Sequence, residues 1–277
     1  MEKWIKKAVV SGGEVVLKDS PKFFKMTNYP TNVTDSQWQV IEKFLDAGRK
    51  RKYELREIIN AVLYLVKTGC QWRMLPKDFP GWQLVYYYFS KWNGDGTIEQ
   101  IHESLVEKIR VKAGKKEEPT AGIIDAQSIR TTCVSSHSSG FDAGKKIKGR
   151  KRHIVVDTLG LILCTVVHSA AIQDRDGAKM VLAMLKERWK KIIKIIADGG
   201  YRGLLIEYAK QTFGYTLEII KRDELHQFKV LPKRWIVERT FAWLDTNRRN
   251  SKDYERLTEN SQAMIQLASI RINLKRF

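Results

Sequence analysis

Cysteine is scarce in this chain. Cys70, Cys133 and Cys164 are odd in number, far apart and form no C-x-x-C pair. That argues against a disulfide framework and against a zinc module, and it fits a reducing compartment. Also missing is any run approaching the about 18 apolar residues of a membrane span. Lys3, Lys6 and Lys7 precede an apolar stretch (8–10) too short for a signal peptide. Together these absences predict a cytoplasmic protein without a membrane partner. Acid is in short supply too: 31 Asp and Glu stand against 50 Lys and Arg, a net charge of +19 and a pI near 9.8. Such an excess points to a polyanionic partner, nucleic acid first, against the plainer reading of a merely basic soluble protein. An RNA module is disfavoured, since no RNP-type motif occurs. What is present is a 43% hydrophobic content over 277 residues, enough for one large domain or two modest ones.

In chain order, residues 1–25 are weakly patterned. A short strand at 15–17 is flanked by the breakers Gly12, Gly13 and Pro21, and Met26 reads as a natural start, so 1–25 is expected to be an extension. Thr34-Asp35-Ser36-Gln37 predicts a capping box ahead of Trp38, Ile41 and Leu45. The stripe Leu55, Ile58, Ile59, Val62, Leu65 and Val66 predicts a second helix closed by Gly69. Pro80-Gly81 opens another at 82–92, and Thr97 with Gln100 is expected to cap a fourth. Short helices joined by tight turns in a basic protein suggest a helix-turn-helix DNA reader over 26–113. Trp82 and Tyr86 serve it equally well as core or as DNA contacts, with Lys91 beside them. The charged, breaker-rich stretch A-G-K-K-E-E-P sets a boundary near 113, leaving 114–277 as a second domain. There the texture changes to three strands, helix, strand, helix, strand, helix. That order predicts an α/β mixed sheet flanked by helices. Its elements are strands near 122–129, 152–157, 161–168, 192–197 and 216–220, and helices after Asp174 or Asp176, at 204–212, 233–248 and 261–274.

Three acids sit where acids are hard to satisfy. Asp125 interrupts the apolar strand G-I-I-D-A-Q-S-I, Asp198 ends K-I-I-A-D, and Glu238 lies within an apolar helical pattern. A carboxylate on a covered strand needs a cation. Functional groups in such sheets gather at the carboxyl ends of neighbouring strands. Three carboxylates and substrate phosphate oxygens would satisfy two Mg2+ ions clamping an in-line phosphoryl displacement. The plainer readings are a turn residue for Asp198 and an exposed helix residue for Glu238, and spacing alone does not choose. Asp157 reads as a hairpin-turn residue, Asp174 and Asp176 as helix caps, and His153 and His168 as structural. Arg234, one turn before Glu238, and Arg239 would offset phosphate charge. Lys145, Lys146, Lys148, Arg150, Lys151 and Arg152, six bases within nine residues, are expected to grip the DNA backbone.

Seven phrases in order now carry a resemblance. They are G-C-Q-W-R-M-L-P-K-D-F-P-G-W from Gly69, D-A-Q-S-I from Asp125, F-D-A-G-K-K-I-K-G-R-K-R-H from Phe141 and Q-D-R-D-G-A from Gln173. A-D-G-G-Y-R-G from Ala197, R-W-I-V-E-R-T-F-A-W-L from Arg234 and S-K-D-Y-E from Ser251 complete the set. From about Met26 to Phe277 the chain resembles the DDE transposases of bacterial insertion sequences, the insertion-sequence-five family. The resemblance implies a ribonuclease H-like core with catalytic and metal-binding acids at Asp125, Asp198 and Glu238. It implies Mg2+, with Mn2+ as a substitute, and Asp125 shared by both ions. It also implies an amino-terminal helical domain that recognises terminal inverted repeats. Cleavage at the element's ends and 3′-hydroxyl strand transfer into target DNA would follow, and joining two ends implies a homodimer in the DNA complex. A catalytically silent DNA-binding derivative and a nuclease or resolvase of the same fold are the rival functions. Related transposases carry Tyr, Arg, Glu and Lys around the third acid. Here Leu231 stands for the Tyr and Asp245 for the Lys, with Arg248 or Arg249 as substitutes and Trp235 as a base-stacking candidate. The 39 residues from 199 to 237 leave room for a helix and a strand between the last two acids, not an inserted domain.

Overall fold

The computed structural model describes residues 8–11, 14–17, 29–46, 48–220 and 234–277. The strand expected at 15–17 lies in β2 (Glu14–Leu17), which pairs antiparallel with β1 (Ala8–Ser11); the rest of the 1–25 extension, and Leu231, lie outside the described residues.

Local signals start and stop the amino-side helices. The Thr34 hydroxyl accepts from the Gln37 N–H while the Thr34 N–H donates to the Gln37 side chain, the capping box that opens α1 (Asp35–Ile41). Glu54 and Glu57 form a second such box at the head of α2 (Leu55–Thr68). That helix ends at Gly69, left-handed at φ 71°, where a Cβ would sit 3.0 Å from Arg248. Next come α3 (Trp82–Gly94) and α4 (Thr97–Lys112). The cap expected from Thr97 is not there: Gly96, at φ 78°, precedes the helix, and the Thr97 hydroxyl donates instead to Asp95 at 2.6 Å.

Beyond a short connection lie β3 (Ala121–Arg130), β4 (Gly140–Asp142), β5 (Ile147–Val156) and β6 (Ile162–Ser169). They are followed by α5 (Asp174–Arg188), β7 (Lys194–Ala197), α6 (Leu204–Phe213), β8 (Thr216–Ile219), α7 (Arg234–Asp245) and α8 (Thr258–Leu274). Across the sheet the order is β6-β5-β3-β7-β8, with β4 alongside the start of β5. β5 runs antiparallel to β3 and β6, while β3, β7 and β8 are parallel. This is a ribonuclease H-like mixed sheet. Among the described residues, no helix is long and apolar enough to cross a membrane.

Strand alternation divides the core in two. Ile123, Ile154 and Ile196 turn to the face covered by α7 and α8, where Val237, Phe241 and Leu244 meet Ile265 and Ile270. Ile124, Val155 and Ile195 turn to the other, under Val181, Leu182 and Leu185 of α5 and Leu205 of α6. The first of these cores continues without a break into α1–α3, so Ile41, Leu63 and Phe89 pack with Leu267 and Ile270. Val106 and Ile109 of α4 join the second. The stretch near 113–120 is therefore a break in the chain's secondary structure while packing runs across it. Helix α8 is buried on nearly every side, its Ser269 hydroxyl bonded to His102 of α4 at 2.9 Å.

Candidate nucleic-acid-processing site

The register of β3 and β7 fixes the site. Ile123 pairs with Ile196, so the next residues along the two parallel strands carry Asp125 and Asp198 out at the same end of the sheet. Asp198 comes one residue after β7 and starts a tight turn, Gly199–Tyr201, accepting the Gly200 N–H at 2.8 Å. Asp125 accepts the Ala126 N–H at 2.7 Å. Both acids line one pocket with Ile123, Ile124, Ile196 and Arg234.

Arg234 opens α7, and its guanidinium lies between two acids: Nη2 is 3.4 Å from Asp198 Oδ2, and Nε is 3.2 Å from Glu238 Oε1. The second contact is the i,i+4 pairing the helix provides. Glu238 is the most open of the three, its side chain 56% exposed against 27% for Asp198. The Asp125 carboxyl stands at about 6, pushed up first by burial and also by Asp198, while the Ala126 N–H, Arg234 and Lys145 pull the other way. Lys145 is exposed and donates to the Ala126 carbonyl at 2.8 Å. The structure thus brings Asp125 and Asp198 into one pocket and ties Glu238 to them through Arg234. Among the described residues, no three His, Cys, Asp or Glu side chains are close enough together to hold a metal ion. The donor chemistry still suits a hard divalent cation, being all carboxylate oxygen. Asp125, short of counter-charge, is the group such a cation would relieve.

Sequence reasoning missed two neighbours of this site. A Cβ on Gly199 would lie 2.7 Å from the Arg202 guanidinium, so the glycine lets that cation lie across the turn after Asp198. Tyr201 is fully buried beneath the acids, and its phenol is pushed well up, first by burial and then by Asp125, Asp174 and Asp198. The signal for both was in A-D-G-G-Y-R-G, where consecutive glycines after an acid mark backbone approached closely by something else.

The expected DNA grip of Arg150, Lys151 and Arg152 is corrected. All three are buried, at 0%, 5% and 2% exposure. Arg150 pairs with Asp253 at 3.2 Å and donates to the Glu255 carbonyl and the Ser261 hydroxyl. Arg152 donates to the Asn250 carbonyl. On the opposite face Lys151 meets Asp174 at 2.7 Å and Asp142 at 3.5 Å. Because β5 is covered on both faces, neither parity of its alternation reaches solvent; only Lys145, Lys146 and Lys148, before the covered part, are exposed.

Asp174 and Asp176 do not cap α5 either. Gln173 takes that position without a side-chain bond, and the two acids lie in the first turn, Asp176 paired with Lys179. Asp157 is the turn residue expected, accepting the Leu159 and Leu161 N–H groups at 2.9 Å, and it also holds a buried ion pair with Arg110. His153 and His168 bond to each other at 2.7 Å, and burial lowers the pKa of both.

Of the remaining candidates, Trp82 is half-buried beneath Arg73, and Tyr86 is 39% exposed with its ring edge-on to Trp72. Lys91 is exposed. Arg239 is sandwiched between Trp235 and Trp243, 4.5 and 4.4 Å from their ring centres. Arg249 cannot replace the missing Lys, because it is buried on Glu255 at 2.6 Å; Arg248 is exposed.

Parts of this sequence are shared with known proteins. Residues 33–102 match a family model described as "Putative transposase of IS4/5 family". Over 108 residues, 35% of this chain and 72% of the other, the sequence is 26% identical to the uncharacterized 16.2 kDa protein of insertion element IS402 from Burkholderia cepacia. Among solved structures it resembles the Drosophila P element transposase strand transfer complex, at 11% identity and a TM-score of 0.32. That match covers 68% of this chain and only 45% of the other. Residues 116–273, more than half the chain, match the transposase DDE domain model, and the chain belongs to that family.

Proposed function

We propose that this protein is a DNA transposase that cuts the phosphodiester backbone at the ends of an insertion sequence and joins the freed 3′-hydroxyl to target DNA. The observation that carries the reading is the meeting of Asp125 and Asp198, from neighbouring parallel strands, in a pocket shared with Arg234. In this reading Asp125, Asp198 and Glu238 hold divalent cations, Mg2+ by preference and Mn2+ in its place. When bound, such ions supply activation of the attacking hydroxyl and charge for the departing oxygen. The chain's own groups do the rest. Lys145, Lys148, Arg234 and Arg239 bind the phosphates around the acids, and Arg202 adds charge beside Asp198. The exposed face of α3, with Tyr86, Lys91 and the rim of Trp82, reads the terminal inverted repeats as part of the helical region 26–113, while 114–277 cuts and joins. Joining two ends calls for a homodimer on DNA, working in the cytoplasm on the nucleoid.

The test is cleavage of a duplex carrying the DNA that flanks this gene, with a supercoiled target plasmid and Mg2+ present. Wild type should nick the element end and yield joined product; Asp125→Ala and Asp198→Ala should yield neither. Equal cleavage by wild type and variants overturns the assignment, and cleavage without joining leaves a nuclease.

A further inference from the structure

Asp125 and Asp198 share one pocket at the end of the sheet, with Glu238 one arginine away, and such acids repel one another unless a positive charge lies among them. Here that charge is the Arg234 guanidinium, which meets Asp198 and Glu238 through two different nitrogens at 3.4 and 3.2 Å and stands in the pocket that Asp125 lines. A planar fork is suited to span two carboxylates at once in a way a lysine is not. Its side chain is 26% exposed, so it has a way out to solvent. The oxygens it engages are the ones a divalent cation would need, and a guanidinium and a dication cannot share them without strong repulsion. We propose that Arg234 is an internal counter-ion: it holds the acids together in the metal-free protein and must swing clear for a divalent cation to take its place. This rests on the reading of the acids as a metal site.

In this arrangement Arg234 competes with the metal, and removing it tightens metal binding even though an ion-pair network is lost. A merely structural Arg234 predicts the reverse, because disordered acids bind a cation less well. Mn2+ binding to the full chain without DNA, followed by electron paramagnetic resonance, separates the two. Arg234→Gln should bind Mn2+ about tenfold tighter than wild type, the equivalent of two partly exposed ion pairs. Arg234→Lys keeps the charge and reaches one carboxylate at a time, so it should fall between them. Arg239→Gln removes the same charge from a guanidinium held between Trp235 and Trp243, and should stay within about twofold of wild type, since it only reports the general field. Affinity of Arg234→Gln equal to or weaker than wild type overturns the counter-ion role alone. Absence of saturable Mn2+ binding in every variant overturns the metal-site reading beneath it as well.

Discussion

Asp125→Asn should make the metal-free protein more stable while abolishing its chemistry. The Asp125 carboxyl stands at about 6 against an ordinary 3.8, chiefly because burial strips its water and secondly because Asp198 faces it. A raised carboxyl pKa means the folded state disfavours the ionised form. Above pH 6 the group is ionised folded or unfolded, and the fold bears the whole difference, about 3 kcal/mol. Between 6 and 3.8 that cost shrinks, and below 3.8 it is gone. Asparagine keeps an acceptor for the Ala126 N–H, which lies 2.7 Å from the present carboxylate, and deletes the charge. Allowing for partial exposure of the carboxyl, the variant should gain about 2–3 kcal/mol at pH 7.5, or roughly 3–5 °C in Tm for a chain of this size. At pH 5 the gain should be about half that. The assay is urea or thermal unfolding of both proteins in EDTA at the two pH values, repeated with saturating Mg2+. Mg2+ should raise the Tm of wild type and have little effect on the variant. Equal stability in EDTA at pH 7.5 would mean that Asp125 already has the counter-charge it needs, and the case for a cation there would fail.

Asp157 is the contrasting acid, fixed by the Leu159 and Leu161 N–H groups and by the buried Arg110. Asp157→Ala should cost about 3–5 kcal/mol in urea unfolding, because it strands a buried guanidinium, yet leave cleavage per folded molecule close to wild type; a selective loss of activity would count against its structural role. Lys148 and Arg150 divide in the same way. Lys148→Ala should flatten the plot of log binding constant against log salt by about 0.9, one phosphate contact. Arg150→Ala should leave that slope unchanged and destabilise the fold, since it would take from the buried Asp253 its ion-pair partner and leave it the Ser261 hydroxyl, the Glu255 N–H and the field of Arg152; a flattened slope for Arg150 would show that it reaches DNA after all.

What the sequence revealed and what it hid differ by range. The capping box at Thr34, the stop at Gly69, the hairpin turn at Asp157 and the apolar strands that carry Asp125 and lead into Asp198 are local rules, each decided within a few residues, and each appears in the fold. The fate of the basic run on β5 was decided from afar. Arg150 and Arg152 lie opposite a segment about a hundred positions later, where Asp253, Glu255 and Asn250 receive them, and no window around Arg150 contains that information. Arg234 shows both ranges at once: its i,i+4 partner Glu238 is legible in the helix pattern, whereas Asp198 is not. Yet the conclusion drawn from composition survives the loss of the residues first chosen to carry it. Arg110, Arg150, Lys151 and Arg249 are neutralised by Asp157, Asp253, Asp174 and Glu255, so burial withdraws acids and bases from the surface together. Among the described residues six bases (Arg110, Arg150, Lys151, Arg152, Arg249 and Arg271) are buried against four acids (Asp142, Asp157, Asp253 and Glu255), so burial takes only two from the excess of +19. The inward turn of β5 therefore leaves most of the basic excess outside, and the case for a polyanionic partner stands without that run.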